Sequence, residues 1–318
     1  MLAIVCPGQG SQTPGFLAPW LELPGVREHL EALSDAAGLD LTAHGTVSDE
    51  ETIKDTAVAQ PLIVAAGLVA ARQLLDTGAL TAATVVAGHS VGEITASAVA
   101  GALTEDDAVA FVRERANAMA RAAAAAPTGM SAVLGGDPDE VARLLSGLGL
   151  TAANANGGGQ VVAAGTLAQL EELSANPPAK ARVIPLKVAG AFHTAHMEPA
   201  LSVLEALRPS LSPAQPLPTL LSNYDGAAVV SGEANLDSLI AQVSRPVRWD
   251  ACMETMTSMG VTGILELPPA GTLTGLAKRG MRGVPSMALK SPEDLAAARA
   301  FVAEHSGAAA VTTQEGNA

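Results

Sequence analysis

The chain has 318 residues, 48% of them apolar and 16% charged; that composition supplies enough side-chain area to bury a core against chain entropy and excludes a disordered protein. Its 18 basic and 32 acidic residues leave a net charge of −14, which excludes non-specific nucleic-acid binding, because neutralising phosphates needs a basic face. A membrane span needs roughly 18 or more consecutive apolar residues, and the Ala-rich stretch after Arg121 reaches only five alanines before Pro127, so none is expected.

Short apolar runs alternate with longer amphipathic segments, the pattern of an α/β protein with a mainly parallel sheet. The spacing predicts a strand over 2–6 stopped by Pro7-Gly8, a buried helix over 60–75 opening on Gln60-Pro61, and a central strand over 84–87 ending at Gly88. Thr104 offers its hydroxyl as an N-cap, and Glu105, Asp106 and Asp107 suit the positive end of the dipole of a helix running to about Ala122. Phe111, Arg115 and Met119 fall four apart on that helix and share a face.

The middle of the chain reads as a strand over 131–134, a helical stripe of Val141, Leu144, Leu145 and Leu148, and strands over 150–153 and 161–164. A helix marked by Leu167, Leu170 and Leu173 follows, closed by Asn176-Pro177-Pro178, and then a strand over 182–188. The order βαββαβ is the ferredoxin-like pattern. Further strands are predicted over 219–222 and 263–267, and the Gly/Thr/Gln/Asn-rich stretch from His305 onward, 305–318, is expected to be a mobile tail. The expected fold class is therefore α/β: a large α/β-hydrolase-like domain of residues 1–123 and 192–318 with a mainly parallel sheet, carrying an inserted ferredoxin-like subdomain of residues 124–191.

Cys6 and Cys252 are isolated in apolar contexts, so both are expected to be buried reduced thiols rather than parts of a disulfide framework or zinc site. The N-terminus lacks a basic segment and meets Pro7-Gly8 after six residues, too short for a signal-peptide core. A cytoplasmic protein is expected.

Gly88-His89-Ser90-Val91-Gly92 is a G-x-S-x-G between a Val-rich run and a helical segment. A tight strand-to-helix turn needs small flanking residues and lifts the serine hydroxyl above the sheet edge, while the helix N-terminus favours a developing oxyanion. A serine is a weak nucleophile until a base takes its proton. Of the six histidines, His29 and His44 lie in surface-like segments, His305 lies in the tail, and His89 adjoins the serine and is expected to point away from it. His193 and His196 remain, in a segment at the domain junction; their i, i+3 spacing suits a metal pair, but no further ligand accompanies them, so no metal is expected.

The sequence resembles the malonyl-CoA:acyl carrier protein transacylases and the acyltransferase domains of polyketide and fatty acid synthases over nearly its whole length. The resemblance is carried by Pro7-Gly8-Gln9-Gly10-Ser11-Gln12, Gln60-Pro61, Gly88-His89-Ser90-Val91-Gly92-Glu93, Arg115 with Met119, Asn154-x-Asn156 with Gln160, Ala191-Phe192-His193, Ser222-Asn223, Pro246-Val247-x-Trp249 and Leu273-Thr274-Gly275-Leu276. It implies that Ser90 carries the acyl group, that His193 is its base, and that the main-chain carbonyl of Gln242 orients the imidazole, with Asp225 and Asp250 as lower-ranked rivals for that third place. It implies an oxyanion hole of the Gln9 and Val91 N–H groups. Arg115 would hold the carboxylate that distinguishes malonyl from acetyl, since a guanidinium binds a carboxylate with two parallel hydrogen bonds. Phe192 would block an α-methyl branch, and Asn154, Asn156 and Gln60 would support the floor of the acyl pocket beside Met119.

The departures from the family pattern are Ala116, Ile94, Gly157-Gly158-Gly159 and Leu267-Pro268-Pro269-Ala270-Gly271; none removes a catalytic group. The implied activity is ping-pong transfer of malonyl from malonyl-CoA to the phosphopantetheine thiol of acyl carrier protein by a cytoplasmic, monomeric enzyme of fatty acid or polyketide synthesis, without metal or bound cofactor. Lys180, Arg182, Lys187, Lys278, Arg279 and Arg282 are the basic groups expected to dock an anionic carrier. A serine thioesterase or esterase, and a silent carrier-docking subunit, are the alternative readings.

Overall fold

The computed structural model describes residues 1–75, 80–81 and 84–306. Among them, strands β1 (Leu2–Cys6), β2 (Val85–Gly88), β7 (Thr219–Leu221), β9 (Gly263–Glu266) and β10 (Ser286–Ala288) form one sheet in the order β10-β9-β1-β2-β7, with each neighbouring pair parallel. Every side chain of β1 is buried: Leu2, Ile4 and Cys6 enter one apolar cluster, Ala3 and Val5 the other. A strand covered on both faces has no polar positions to alternate with, hence the unbroken apolar run.

The helices packed around this sheet or on one another are α1 (Val26–Ala37), α2 (Leu41–Thr46), α3 (Thr56–Leu74), α4 (Gly92–Val99), α5 (Glu105–Ala124), α8 (Leu201–Leu207), α9 (Gly232–Gln242), α10 (Trp249–Ser258), α11 (Thr272–Gly280) and α12 (Leu295–His305). α3 starts earlier than Gln60-Pro61 suggests, because the Asp55 carboxylate caps Ala57 N–H and Pro61 is accommodated inside the helix. This helix, rather than the alanine run, is long and apolar enough to cross a membrane by length and composition; most of it is buried inside the protein, against α4 and α5. α5 begins where Thr104 predicts: the hydroxyl accepts from Asp107 N–H at 3.0 Å.

A second sheet contains β3 (Thr128–Gly135), β4 (Thr151–Gly157), β5 (Gln160–Thr166) and β6 (Ala181–Pro185), in the order β6-β3-β5-β4 with antiparallel pairings. With α6 (Pro138–Gly147) and α7 (Leu167–Ala175) it makes the expected βαββαβ arrangement. Asp137 caps α6, and Thr166 with Gln169 forms a capping box on α7. The hairpin between β4 and β5 turns on Gly157, Gly158 and Gly159 at φ of 71°, 56° and 78°, a left-handed run that L side chains resist. Two strands are absent from the sequence reading, β10 at the edge of the first sheet and a further one in the second. β8 (Val247–Arg248) pairs in parallel with β4, so a later segment of the chain extends this sheet.

His305 closes α12, buried, with its ring 3.1 Å from the Thr262 hydroxyl, which corrects its assignment to a tail; the remainder of the expected tail, 307–318, lies outside the described residues. His29 is likewise not a surface group: it is buried in α1, 2.7 Å from the Glu105 carboxylate.

Candidate functional site

The first sheet delivers Ser90 to the turn between β2 and α4. That turn is tightly packed: a Cβ on Gly92 would lie 2.1 Å from the Cys6 carbonyl oxygen, and one on Gly88 would lie 2.1 Å from Gly92 main chain. Glycine is thus the only residue that lets α4 start directly over β1 and β2. Ser90 is held at φ 55° and His193 at φ 61°, conformations that non-glycine residues adopt at a cost and that cluster at functional sites.

Ser90 Oγ and His193 Nε2 are 2.7 Å apart, and His193 Nδ1 is 2.8 Å from the Gln242 carbonyl oxygen. A carbonyl only accepts, so Nδ1 carries the proton and Nε2 is left to accept from the serine hydroxyl. The imidazole is buried, which pushes its pKa down from the ordinary value to about 3; the Arg115 cation adds to that shift and the Gln242 carbonyl opposes it. His193 is neutral at physiological pH. Asp225 instead accepts from Ala227 N–H, and Asp250 pairs with Arg248, so neither carboxylate takes the third place beside His193. His196 is exposed while His193 is buried, and among the described residues no group of three or more His, Cys, Asp or Glu could hold a metal ion.

Arg115 reaches the serine from α5. Its side chain is 1% exposed; Nη2 lies 3.4 Å from Ser90 Oγ and 2.7 Å from Gln242 Oε1, and Nη1 lies 2.6 Å from Gln60 Oε1. Burial pushes its pKa down to about 10, with Glu93 opposing, so it stays charged near neutrality. Its Nε–H has no hydrogen-bond partner among the described residues. Met119, one turn further along α5, takes a contact from Gln60 Nε2 at 3.7 Å on Sδ. Phe111 shares their face but sits wholly in the core.

A cavity of about 210 Å³ opens between the two sheets, lined among others by Gln9, Gln60, Ser90, Val91, Met119, Asn154, Asn156, Phe192 and His193. Except for Arg115 and Gln242, every site residue expected from the sequence borders it. Those two are buried behind the serine and connect to it by hydrogen bonds. The main-chain N–H groups of Gln9 and Val91 have no main-chain acceptor among the described residues, and both residues line the cavity with Ser90. His89 does turn away from Ser90: its Nε2 lies 2.9 Å from Asn156 Oδ1 and 3.4 Å from Asn154 Nδ2, so one ring ties the serine turn to β4.

Three groups had no role in the sequence reading. Glu93, Asn223 and the side chain of Gln242 form a buried network under the serine: Asn223 Oδ1 accepts from Ser90 N–H at 2.8 Å, Asn223 Nδ2 donates to the Gly88 carbonyl at 2.6 Å, and Gln242 Nε2 donates to the Glu93 carboxylate. Glu93 and Asn223 stand inside motifs visible in the sequence; what those motifs do not reveal is that a polar residue just after the turn is buried and needs a partner.

An α/β body with a serine at a strained strand-to-helix turn, an imidazole on its hydroxyl and a buried cation alongside is that of an acyl-transferring protein, and the chain belongs to the acyltransferase family: the family model described as acyl transferase domain matches residues 3–302. Among characterised proteins, the malonyl CoA-acyl carrier protein transacylase of Mycobacterium tuberculosis is 55% identical over 296 residues, covering 93% of this chain and 98% of the relative. The crystal structure of MCAT from the same organism superposes with a TM-score of 0.91 at 54% identity, covering 94% of this chain and 99% of that one. A holo complex of a type II PKS acyl-carrier protein with its malonyl-transacylase matches at a TM-score of 0.88 and 31% identity, covering 94% and 99%.

Proposed function

We propose that this chain transfers a malonyl group from malonyl-CoA to the phosphopantetheine thiol of an acyl carrier protein through a malonyl ester on Ser90. Ser90 Oγ attacks the thioester carbonyl as His193 Nε2 takes its proton; the oxyanion receives the Gln9 and Val91 N–H groups; collapse expels CoA as thiolate, which leaves with the proton held by His193. In the second half, the carrier's thiol gives its proton to His193 and attacks the ester, and Ser90 recovers that proton as it departs. Every bond and proton is handled by side chains and backbone, so the scheme calls on no metal or organic cofactor. The reading includes a cytoplasmic site of action, and a division into a catalytic body of residues 1–123 and 192–318 and a smaller unit of 124–191 whose face closes the acyl cavity.

The observation that carries this reading is Arg115: a charged, buried guanidinium with Nη2 3.4 Å from Ser90 Oγ and an unpartnered Nε–H. An acyl group bearing a carboxylate satisfies that charge, and one without it leaves the charge unpaired at a cost of several kcal/mol. Phe192 lines the cavity that Ser90 borders and supports exclusion of a branched acyl chain.

The test is intact-mass analysis after exposure to malonyl-, methylmalonyl- and acetyl-CoA. The wild type is expected to carry a malonyl adduct, Ser90→Ala none, and Arg115→Ala no preference for malonyl. Prompt release of malonate with no adduct on the wild type would instead identify a hydrolase.

A further inference from the structure

Gln242 is the junction of the site. Its amide nitrogen faces acceptors only, namely the Glu93 carboxylate, the Ser90 carbonyl at 3.2 Å and Asn223 Oδ1 at 3.4 Å, while its Oε1 faces Arg115 Nη2 at 2.7 Å. That partner set admits one orientation of the amide. Arg115, by contrast, touches neutral groups: Gln60, Gln242 and Ser90. Among the described residues no carboxylate lies in ion-pair contact with it. The carboxyl nearest to it through this network is Glu93, fully buried and one amide away.

We propose that Glu93 is a positioning residue for acyl selection: it locks the Gln242 amide so that Oε1 holds Arg115 Nη2 beside Ser90, as a placeholder that an incoming acyl carboxylate replaces. The inference rests on the malonyl-transfer reading and adds how the cation is kept aimed before substrate arrives. A buried guanidinium without a fixed acceptor turns toward whatever dipole it finds, and the amide between Glu93 and Arg115 has its positive end on the anion and its negative end on the cation. The exchange is selective, because a carboxylate displaces the amide oxygen with a full charge and an acetyl group has nothing to displace it with. Asn223 N–H holds the other Glu93 oxygen at 3.2 Å, so the carboxylate itself cannot swing. Burial pushes Glu93 up to about 7 against the pull of Asn223, Gln242, Ser222 and Arg115, so the carboxyl is an anion above that pH and accepts from the Gln242 and Asn223 N–H groups in either state.

The test measures kcat/KM for Ser90 acylation by malonyl-CoA and acetyl-CoA in the wild type, Glu93→Gln and Gln242→Ala, each with and without Arg115→Ala. Gln242→Ala removes the bridging amide but keeps the main-chain carbonyl that His193 uses. The malonyl-over-acetyl ratio is expected to fall roughly tenfold in both variants, the size of coupling found within one hydrogen-bond network, and to fall no further when either is added to Arg115→Ala. Equal losses for both donors, or a full additional loss on top of Arg115→Ala, would overturn the proposal; if Glu93→Gln does not fold, Gln242→Ala decides it by the same criterion. A wild type that loads no malonyl overturns the functional reading and this inference together, whereas one that loads malonyl while the variants keep its ratio overturns this inference alone.

Discussion

His193 illustrates how burial sets chemistry at a single side chain. Desolvation disfavours the imidazolium, the neighbouring Arg115 cation repels it, and the pKa drops from 6.5 to about 3. The neutral ring is therefore available as an acceptor across the neutral range, and NMR of the His193 ring is expected to show no protonation between pH 8 and pH 5; a midpoint near 6.5 would contradict the buried geometry. Arg115→Ala removes the repulsion and is expected to move the midpoint upward. The same shift has a stability consequence with a definite sign. The unfolded chain binds a proton at this residue below about 6.5 and the folded one does not, so the contribution is complete above that pH and is lost as pH falls toward about 3. Ser90 was legible because the glycines around it are a local signal, and His193 because a serine needs a base. Glu93, Asn223 and the Gln242 side chain were not, since each owes its role to partners more than a hundred residues away or to burial, neither of which leaves a local trace.

Among elements, the strand–turn–helix unit at Gly88–Gly92 couples fold to site most directly. A methyl group at Gly92 meets the Cys6 carbonyl at 2.1 Å, and main chain of a central strand cannot give way as a flexible side chain does. Gly92→Ala is expected to cost about 3 kcal/mol in urea unfolding, the upper part of the usual overpacking range, and to lower Ser90 acylation with it; an unchanged unfolding midpoint would mean that α4 can shift away from β1. Periodicity located the longer elements well, including the capped start of α5 and the alternation of the second sheet, because amphipathic helices and turn residues are local features. It misplaced the start of α3, where a proline sits inside a helix whose true cap is Asp55, and it missed two short strands, β8, defined by its pairing with β4, and β10, defined by its pairing with β9. The apolar length of α3 shows the same limit from the other side: composition alone does not separate a membrane span from a helix buried between α4 and α5.

At the scale of the whole molecule, charge poses the remaining problem: a chain of net charge −14 must receive CoA, which bears phosphates, and in the proposed reaction an acidic carrier. Strand register gathers cations toward one end of the second sheet. Arg182 on β6 stands opposite Leu134 on β3, which stands opposite Gln160 on β5, and Gln160 accepts from Arg279 Nη2 at 2.9 Å. With strands spaced about 4.8 Å apart, Lys180 and Arg182 share one end of the second sheet with Lys278 and Arg279 on α11. All four are exposed, and Gln160 itself lines the cavity that Ser90 borders, so this basic edge is the candidate docking face for an anionic carrier. Rim charges of this kind act mainly on encounter rate and salt dependence and leave the reacting groups untouched. Reversing Lys180 and Arg182 to glutamate is therefore expected to raise the apparent KM for carrier protein by roughly tenfold and to change that for malonyl-CoA much less, with the carrier KM of the variant responding less steeply to added salt. Steady-state kinetics varying one substrate at a time separates the two effects. An equal rise for both substrates would move carrier docking off this edge and leave the cations with a role toward CoA alone.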